Sequence, residues 1–283
     1  MSSNILSPDV YFPFEELEER VQFIKDKEYE IYDYYSTLYG TYSQKDRLSG
    51  KEEKVFIDQS EREAGKYLSE LIHSEFPNDT IRGEELKNIT GNNDFSWILD
   101  PIDGGLNFLR GIPYYAISFG ILFRESRAAG VVLIPELDDL YEAIKYREAL
   151  KNDEPINTSK VNVLSNSILI PAYPQDRKKT VSSLIAEISA TIVSGHSLRR
   201  TGSFCLDMCW LAEGRVEGLW EKNLTKEDLA AVSIILEEAG GMITDEHGKP
   251  FSDTYTGIIA SNGHIHESLV ELLEKSHKSI HLN

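Results

Sequence analysis

The run Trp97-Ile98-Leu99-Asp100-Pro101-Ile102-Asp103-Gly104-Gly105 sets two carboxylates three residues apart after an apolar segment. An apolar strand ending in Asp100 delivers that carboxylate to the strand's carboxyl end, where α/β folds seat their ligands. Pro101 then bends the chain, and Asp103 returns to the same side. Two carboxylates this close repel, and burial would strip each of water. Both costs vanish if they share divalent cations. Magnesium suits such a donor set, because it takes hard oxygen ligands and keeps waters that a phosphate can replace. Gly104 and Gly105 follow with no side chain to hold an anion off the backbone, so a helix or turn beginning there would present N–H groups to phosphate. The same residues also fit a polar turn in which Asp103 caps a helix and the glycines permit the bend. The Gly-x-Gly-x-x-Gly spacing of a dinucleotide fold is missing.

A second acidic stretch lies far downstream: Glu221, then Thr225-Lys226-Glu227-Asp228-Leu229-Ala230-Ala231, and Glu237-Glu238-Ala239-Gly240-Gly241. Thr225 with Asp228 three residues on fits a capping box, so Asp228 has a helical explanation beside the chemical one. Gly263-His264-Ile265-His266 has the residue types for a metal, but its setting reads as a solvated loop. Cys205 and Cys209, four apart in a helical stretch, read as small buried hydrophobes in a reducing, cytoplasmic setting.

The elements that must position these groups follow from periodicity. Apolar residues at spacings of three and four predict an amphipathic, interrupted helix from Phe14 to Leu38 and a second from Gln59 to Phe76, ended by Pro77-Asn78-Asp79. Short apolar strands follow at 80–82, 96–99, 116–123, 130–134 and 140–144. The charged stretch 145–161 reads as the junction between an N-terminal α+β half, 1–160, carrying the main acidic motif, and a C-terminal α/β half, 161–283, carrying Asp228. Beyond it come a strand at 167–170, a helix at 177–190, a helix at 204–213, a strand at 216–220 and a helix at 226–239. Strands followed by alternating strands and helices indicate a layered α/β class.

The 283 residues carry 29 Lys and Arg against 47 Asp and Glu, a formal charge of −18. That field repels nucleic acid and anionic membranes, and a phosphate-bearing substrate needs a bound cation or local dipoles to enter. No apolar run approaches the roughly 18 residues of a membrane span, and the first residues lack a basic region followed by an apolar one.

Gly83-Glu84-Glu85, the Trp97–Gly104 run, Asn107-Phe108, Gly111-Ile112-Pro113 and Glu237–Gly241, in this order, resemble the inositol monophosphatase family over about residues 50 to 265. The resemblance implies a layered αβαβα sandwich, a homodimer, and hydrolysis of small phosphorylated metabolites with two or three Mg²⁺ ions, inhibited by lithium. It implies that Glu84, Asp100, Asp103 and Asp228 are metal ligands with the backbone carbonyl of Ile102, Asp100 bridging two ions. Glu84 would also orient and deprotonate the attacking water. Gly104 and Gly105 would bind phosphate, and Gly202, Ser203 and Glu221 the hydroxyl-bearing part of the substrate.

The chain departs from the family pattern at four places. Gly105 stands where the family has threonine, and the aspartate that pairs with that threonine falls on Glu61, with Asp58 as the competing position. Glu227 replaces a tryptophan, and Phe204 occupies a site that is usually small. Gly105 and Glu61 bear on water activation and Phe204 on substrate identity. The leading expectation is a magnesium-dependent phosphomonoesterase of a small polyol, inositol or sugar phosphate. The alternatives are a catalytically weakened relative that binds metal and phosphate as a sensor or subunit, and a phosphatase of 3′-phosphonucleotides or histidinol phosphate.

Overall fold

The computed structural model describes residues 11–43, 50–83, 86–173, 177–252 and 257–280; Glu84 lies outside the described residues. Three helices open the chain: α1 (Phe14–Asp26), α2 (Glu28–Tyr42) and α3 (Gly50–Glu75). The break expected in the first helix falls at Lys27. The third begins nine residues before its predicted start. Its buried residues Ser60, Ala64, Leu68 and Ile72 recur every four positions, one stripe facing the core.

A seven-stranded sheet follows in sequence order: β1 (Thr80–Gly83), β2 (Phe95–Asp103), β3 (Ala116–Phe123), β4 (Ser126–Ile134), β5 (Asp139–Ile144), β6 (Leu150–Lys151) and β7 (Glu154–Pro155), with α4 (Gly105–Arg110) between β2 and β3. β1 and β2 run parallel and the other neighbours antiparallel. The stretch expected to be a junction thus includes two short strands that extend this sheet. The central strands read as unbroken apolar runs because both faces are covered. On β4, Val131 and Leu133 join the core under α1–α3, while Val132 and Ile134 join the core on the opposite face.

That opposite core is completed by α6 (Phe204–Ala212), α7 (Lys226–Ala230) and α8 (Val232–Glu238). The single helix expected at 226–239 is divided at Ala231, where Ala230 and Ala231 lie against Gly120 and Gly130 of the large sheet. A second sheet has the order β11 (Met242–Asp245), β12 (Gly257–Ser261), β10 (Gly218–Lys222), β8 (Ile168–Ile170), β9 (Ser197–Leu198). Its outer face packs on α9 (His266–Ile280), and α5 (Arg177–Ser194) lies against α9. The layers are α1–α3, the seven-stranded sheet, α6–α8, the five-stranded sheet, and α5 with α9: the expected αβαβα order.

His266 is buried rather than solvated. Its two ring nitrogens lie 2.9 Å from the Thr244 and Ser261 hydroxyls, and burial pushes its pKa down to about 4. A histidine whose folded pKa is depressed contributes stability that is fully present above its unfolded value, near 6.5, and is lost as pH falls toward 4. The His266 contribution to unfolding free energy is expected to fall by roughly 3 kcal/mol over that window. His266→Gln should flatten this part of the profile in denaturant titrations run from pH 7 to 4, and an unchanged slope would show that other groups carry it.

Candidate active site

The site begins at an irregularity in β2. Opposite β3, Asp100 pairs with Ser118 and Asp103 with Ala116, so three steps on β2 face two on its neighbour. The strand therefore does not end at Asp100, as the sequence suggests; it continues through a bulge to Asp103. In a strictly alternating strand, residues three apart point to opposite faces. The extra residue cancels that inversion and turns both carboxylates to one side. Pro101 occupies the bulge, where a missing N–H costs no ladder hydrogen bond. The buried Tyr35 hydroxyl of α2 donates to the Pro101 carbonyl at 2.7 Å, bracing the bulge from the helical layer beneath it.

Gly104 then turns the chain with φ of +92°, a conformation that a side chain would strain, and α4 begins at Gly105. The first-turn N–H groups of a helix have no partner within it, so this end of α4 faces the cleft as a donor set. Asn107 anchors the helix: its amide nitrogen donates to the Tyr114 carbonyl at 2.6 Å and to the Thr201 carbonyl at 3.0 Å. The second bond joins the Asp-Gly-Gly turn to the loop before α6.

A cleft of about 170 Å³ is lined by Glu61, Asp100, Pro101, Ile102, Asp103, Gly104, Gly105 and Asp228. Four of its residues are acidic, drawn from α3, β2 and α7. Glu61 rather than Asp58 reaches it. Ile57 and Glu61, one turn apart on α3, both face Gly105. A Cβ placed there would come 2.7 Å from Ile57 Cγ2 and 3.0 Å from Glu61 Oε1.

Asp228 keeps both of its readings. Its Oδ2 accepts from the Thr225 N–H at 2.7 Å and the Thr225 hydroxyl at 3.0 Å, completing the capping box of α7, and the residue still lines the cleft. Asp103 is held more tightly: its Oδ2 accepts from the Ser203 hydroxyl and, at 2.7 Å, from the Cys205 N–H. Burial, then the charges of Asp103, Asp228 and Glu61, pushes the Asp100 carboxyl well above the ordinary carboxylate range. Burial raises Asp103 as well, against the pull of those hydrogen bonds.

A half-buried acidic cluster that repels itself is relieved by a proton or by a cation. Oxygen donors converging from three elements beside free backbone N–H groups fit a hard divalent ion with room for a phosphate. Among the described residues, Asp100, Asp103 and Cys205 form a group of donor atoms all within 4.8 Å of one another. Asp228 lines the cleft outside that group.

The residues expected at the substrate end divide. Gly202, with φ of +92°, packs against the Asn107 side chain and beside the Asp-Gly-Gly turn. Ser203 is fully buried, its hydroxyl spent on Asp103 and on the N-cap of α6, so it touches the acidic cluster rather than open space. Glu221, on β10, does not line the cleft. Its carboxylate accepts from Arg200 at 3.0 Å and from the Tyr173 N–H at 3.1 Å.

Sequence reasoning gives no site role to Tyr35, Asn107, Arg200, Cys205 or Asp207. Asp207 accepts from the Thr201 hydroxyl at 2.8 Å, and its pKa is raised by burial to about 7. Asn107 lay within a motif already singled out, and Cys205 two residues after Ser203. Tyr35 is one of several tyrosines between positions 29 and 42, and nothing in their spacing sets it apart.

This frame and this cleft are those of a layered αβαβα phosphatase. The inositol monophosphatase family profile matches residues 27–278, and the chain belongs to that family. It is 31% identical over 218 residues to the inositol-1-monophosphatase of Synechocystis sp., covering 77% of this chain and 76% of that one. To the Nus factor SuhB of Vibrio cholerae it is 33% identical over 207 residues, covering 73% and 78%. The solved inositol monophosphatase of Anabaena superposes with a TM-score of 0.75 at 29% identity, over 90% of this chain and 97% of that one. The chain is therefore a phosphoric monoester hydrolase acting on phosphorylated metabolites. No helix among the described residues is long and apolar enough to cross a membrane.

Proposed function

We propose that the chain hydrolyses a small polyol, inositol or sugar phosphate with magnesium. The carrying observation is the convergence of Asp100, Asp103, Asp228 and Glu61 in one cleft beside the start of α4. Asp100, Asp103 and Asp228, with the Ile102 carbonyl and Glu84, would hold the ions. When bound, the cations lower the pKa of a water, clamp the phosphate oxygens and stabilise the departing alkoxide. The N–H groups at Gly104 and Gly105 receive the phosphate, and their fixed dipoles need no rearrangement as charge develops.

A water oxygen bonds to phosphorus as the bond to the alcohol oxygen breaks. Glu61, with Glu84, orients that water and takes its proton, and the departing alkoxide takes up a proton from solvent. Ser203 and the Cys205 amide act by fixing the rotamer of Asp103. Glu221, paired with Arg200 beside Gly202, frames the hydroxyl-binding end. In this reading the two halves, 1–160 and 161–283, each supply part of the centre, and the protein works as a homodimer.

Gly105 and Glu61 are the departures that would favour a sensor. The fit of the Glu61 carboxylate against Gly105 weighs against it, because the room a threonine would occupy already holds an acid. Phosphate release is to be measured on a panel of inositol, polyol and sugar phosphates while magnesium is titrated. Saturable, magnesium-dependent turnover on at least one is expected, and none on any by folded protein would overturn the proposal.

A further inference from the structure

We propose that Cys205 makes the centre a site for a thiophilic divalent cation, zinc, cobalt or cadmium, held by its sulfur together with one oxygen each from Asp100 and Asp103. This rests on the metal-dependent reading above and adds a donor to it. The three donor atoms lie within 4.8 Å of one another. A point central to them is then at most about 2.8 Å from each, and a contraction of roughly half an ångström reaches the zinc–sulfur distance of about 2.3 Å and approaches the zinc–oxygen range of about 2.0–2.2 Å.

The surroundings keep the sulfur in place. Cys205 sits in the first turn of α6, and its N–H is bonded to Asp103, so helix and aspartate move as one piece. The side chain is fully buried, with Sγ 3.9 Å from the Asp228 carbonyl oxygen. It is thus held between both ends of the acidic cluster, while Cys209, one turn along α6, falls outside the donor group. Soft sulfur favours zinc, cadmium and cobalt over magnesium, whereas carboxylate oxygens alone suit the hard ions. As the sulfur coordinates, the thiol proton passes to solvent. Trace thiophilic cations then compete with magnesium for Asp100 and Asp103.

The test adds cobalt(II) to the full chain and records the near-ultraviolet band of sulfur-to-cobalt charge transfer, following manganese binding in parallel by its paramagnetic resonance signal. The band is expected in the unmodified protein and lost in Cys205→Ala and Cys205→Ser, both of which retain Cys209. Cadmium affinity should fall about tenfold or more in these variants, a loss at least equal to that from disturbing a ligand's supporting partner. Manganese affinity should stay within about threefold, because oxygen donors hold it. Cobalt bound to unmodified protein without the band, or a band that survives in Cys205→Ala, overturns the sulfur donor and leaves the metal centre standing. Binding of neither cobalt nor manganese by folded protein removes the metal-dependent reading and this proposal together.

Discussion

Asp100→Asn is expected to lower kcat/KM by about 10³-fold or more while the chain stays folded and, with cations chelated, becomes more stable. Asp100 is the carboxylate on which the charges of Asp103, Asp228 and Glu61 converge. Removing its charge withdraws several kcal/mol of charge organisation around the reacting phosphate, and each 1.4 kcal/mol is about tenfold in rate. The same substitution removes a repulsive, desolvated group from the cation-free protein. Relief of about 1 kcal/mol corresponds to a rise of about 2–4 °C in the unfolding midpoint for a chain of this size. Steady-state phosphate release with magnesium and thermal unfolding in chelator measure the two halves. Activity within tenfold of the unmodified protein would sink the assignment of Asp100 to the reaction.

Gly105→Thr is expected to cut kcat by about 10²-fold or more, and Glu61→Asp in the same chain to restore at least tenfold of it. The new Cβ meets Ile57 Cγ2 at 2.7 Å and Glu61 Oε1 at 3.0 Å, so the carboxylate must leave its position. A displacement of about 1 Å in a positioned group costs about that factor. Shortening residue 61 by one methylene withdraws its carboxylate from the crowded space. Because the two side chains contend for one volume, their effects should not add. A rise in turnover for Gly105→Thr alone would show that an acid at 61 does not replace the hydroxyl, and would favour the weakened-relative reading.

The layered α/β class and the acidic turn were legible because they rest on local signals, whereas the αβαβα order followed from the family resemblance. Apolar runs marked β2 to β5, and the Asp-Pro-Ile-Asp-Gly motif marked the acidic turn. What escaped rests on tertiary packing or on elements too short to show a period. β6, β7 and β9 have two residues each, and α4 only six. β11, β12 and α9 lie beyond what the periodicity assigned. The start of α3 was missed because its first turns carry mostly charged, exposed side chains. The inward turn of Ser203 and the placing of Cys205 against Asp103 depend on how α6 docks, which no spacing along the chain encodes. His266 looked like a loop residue because the two hydroxyls that satisfy it, on Thr244 and Ser261, are distant or unremarkable in sequence.

The extra residue opposite β3 has a consequence for how this protein tolerates change. The direction of the second carboxylate is set by a count, odd or even, and not by the chemistry of Pro101 or Ile102. Were the bulge to flatten with the length unchanged, strict alternation would aim Asp103 away from its partner, although every acidic group survived. Drift through this segment is therefore open to replacements that keep the bulge and closed to those that flatten it.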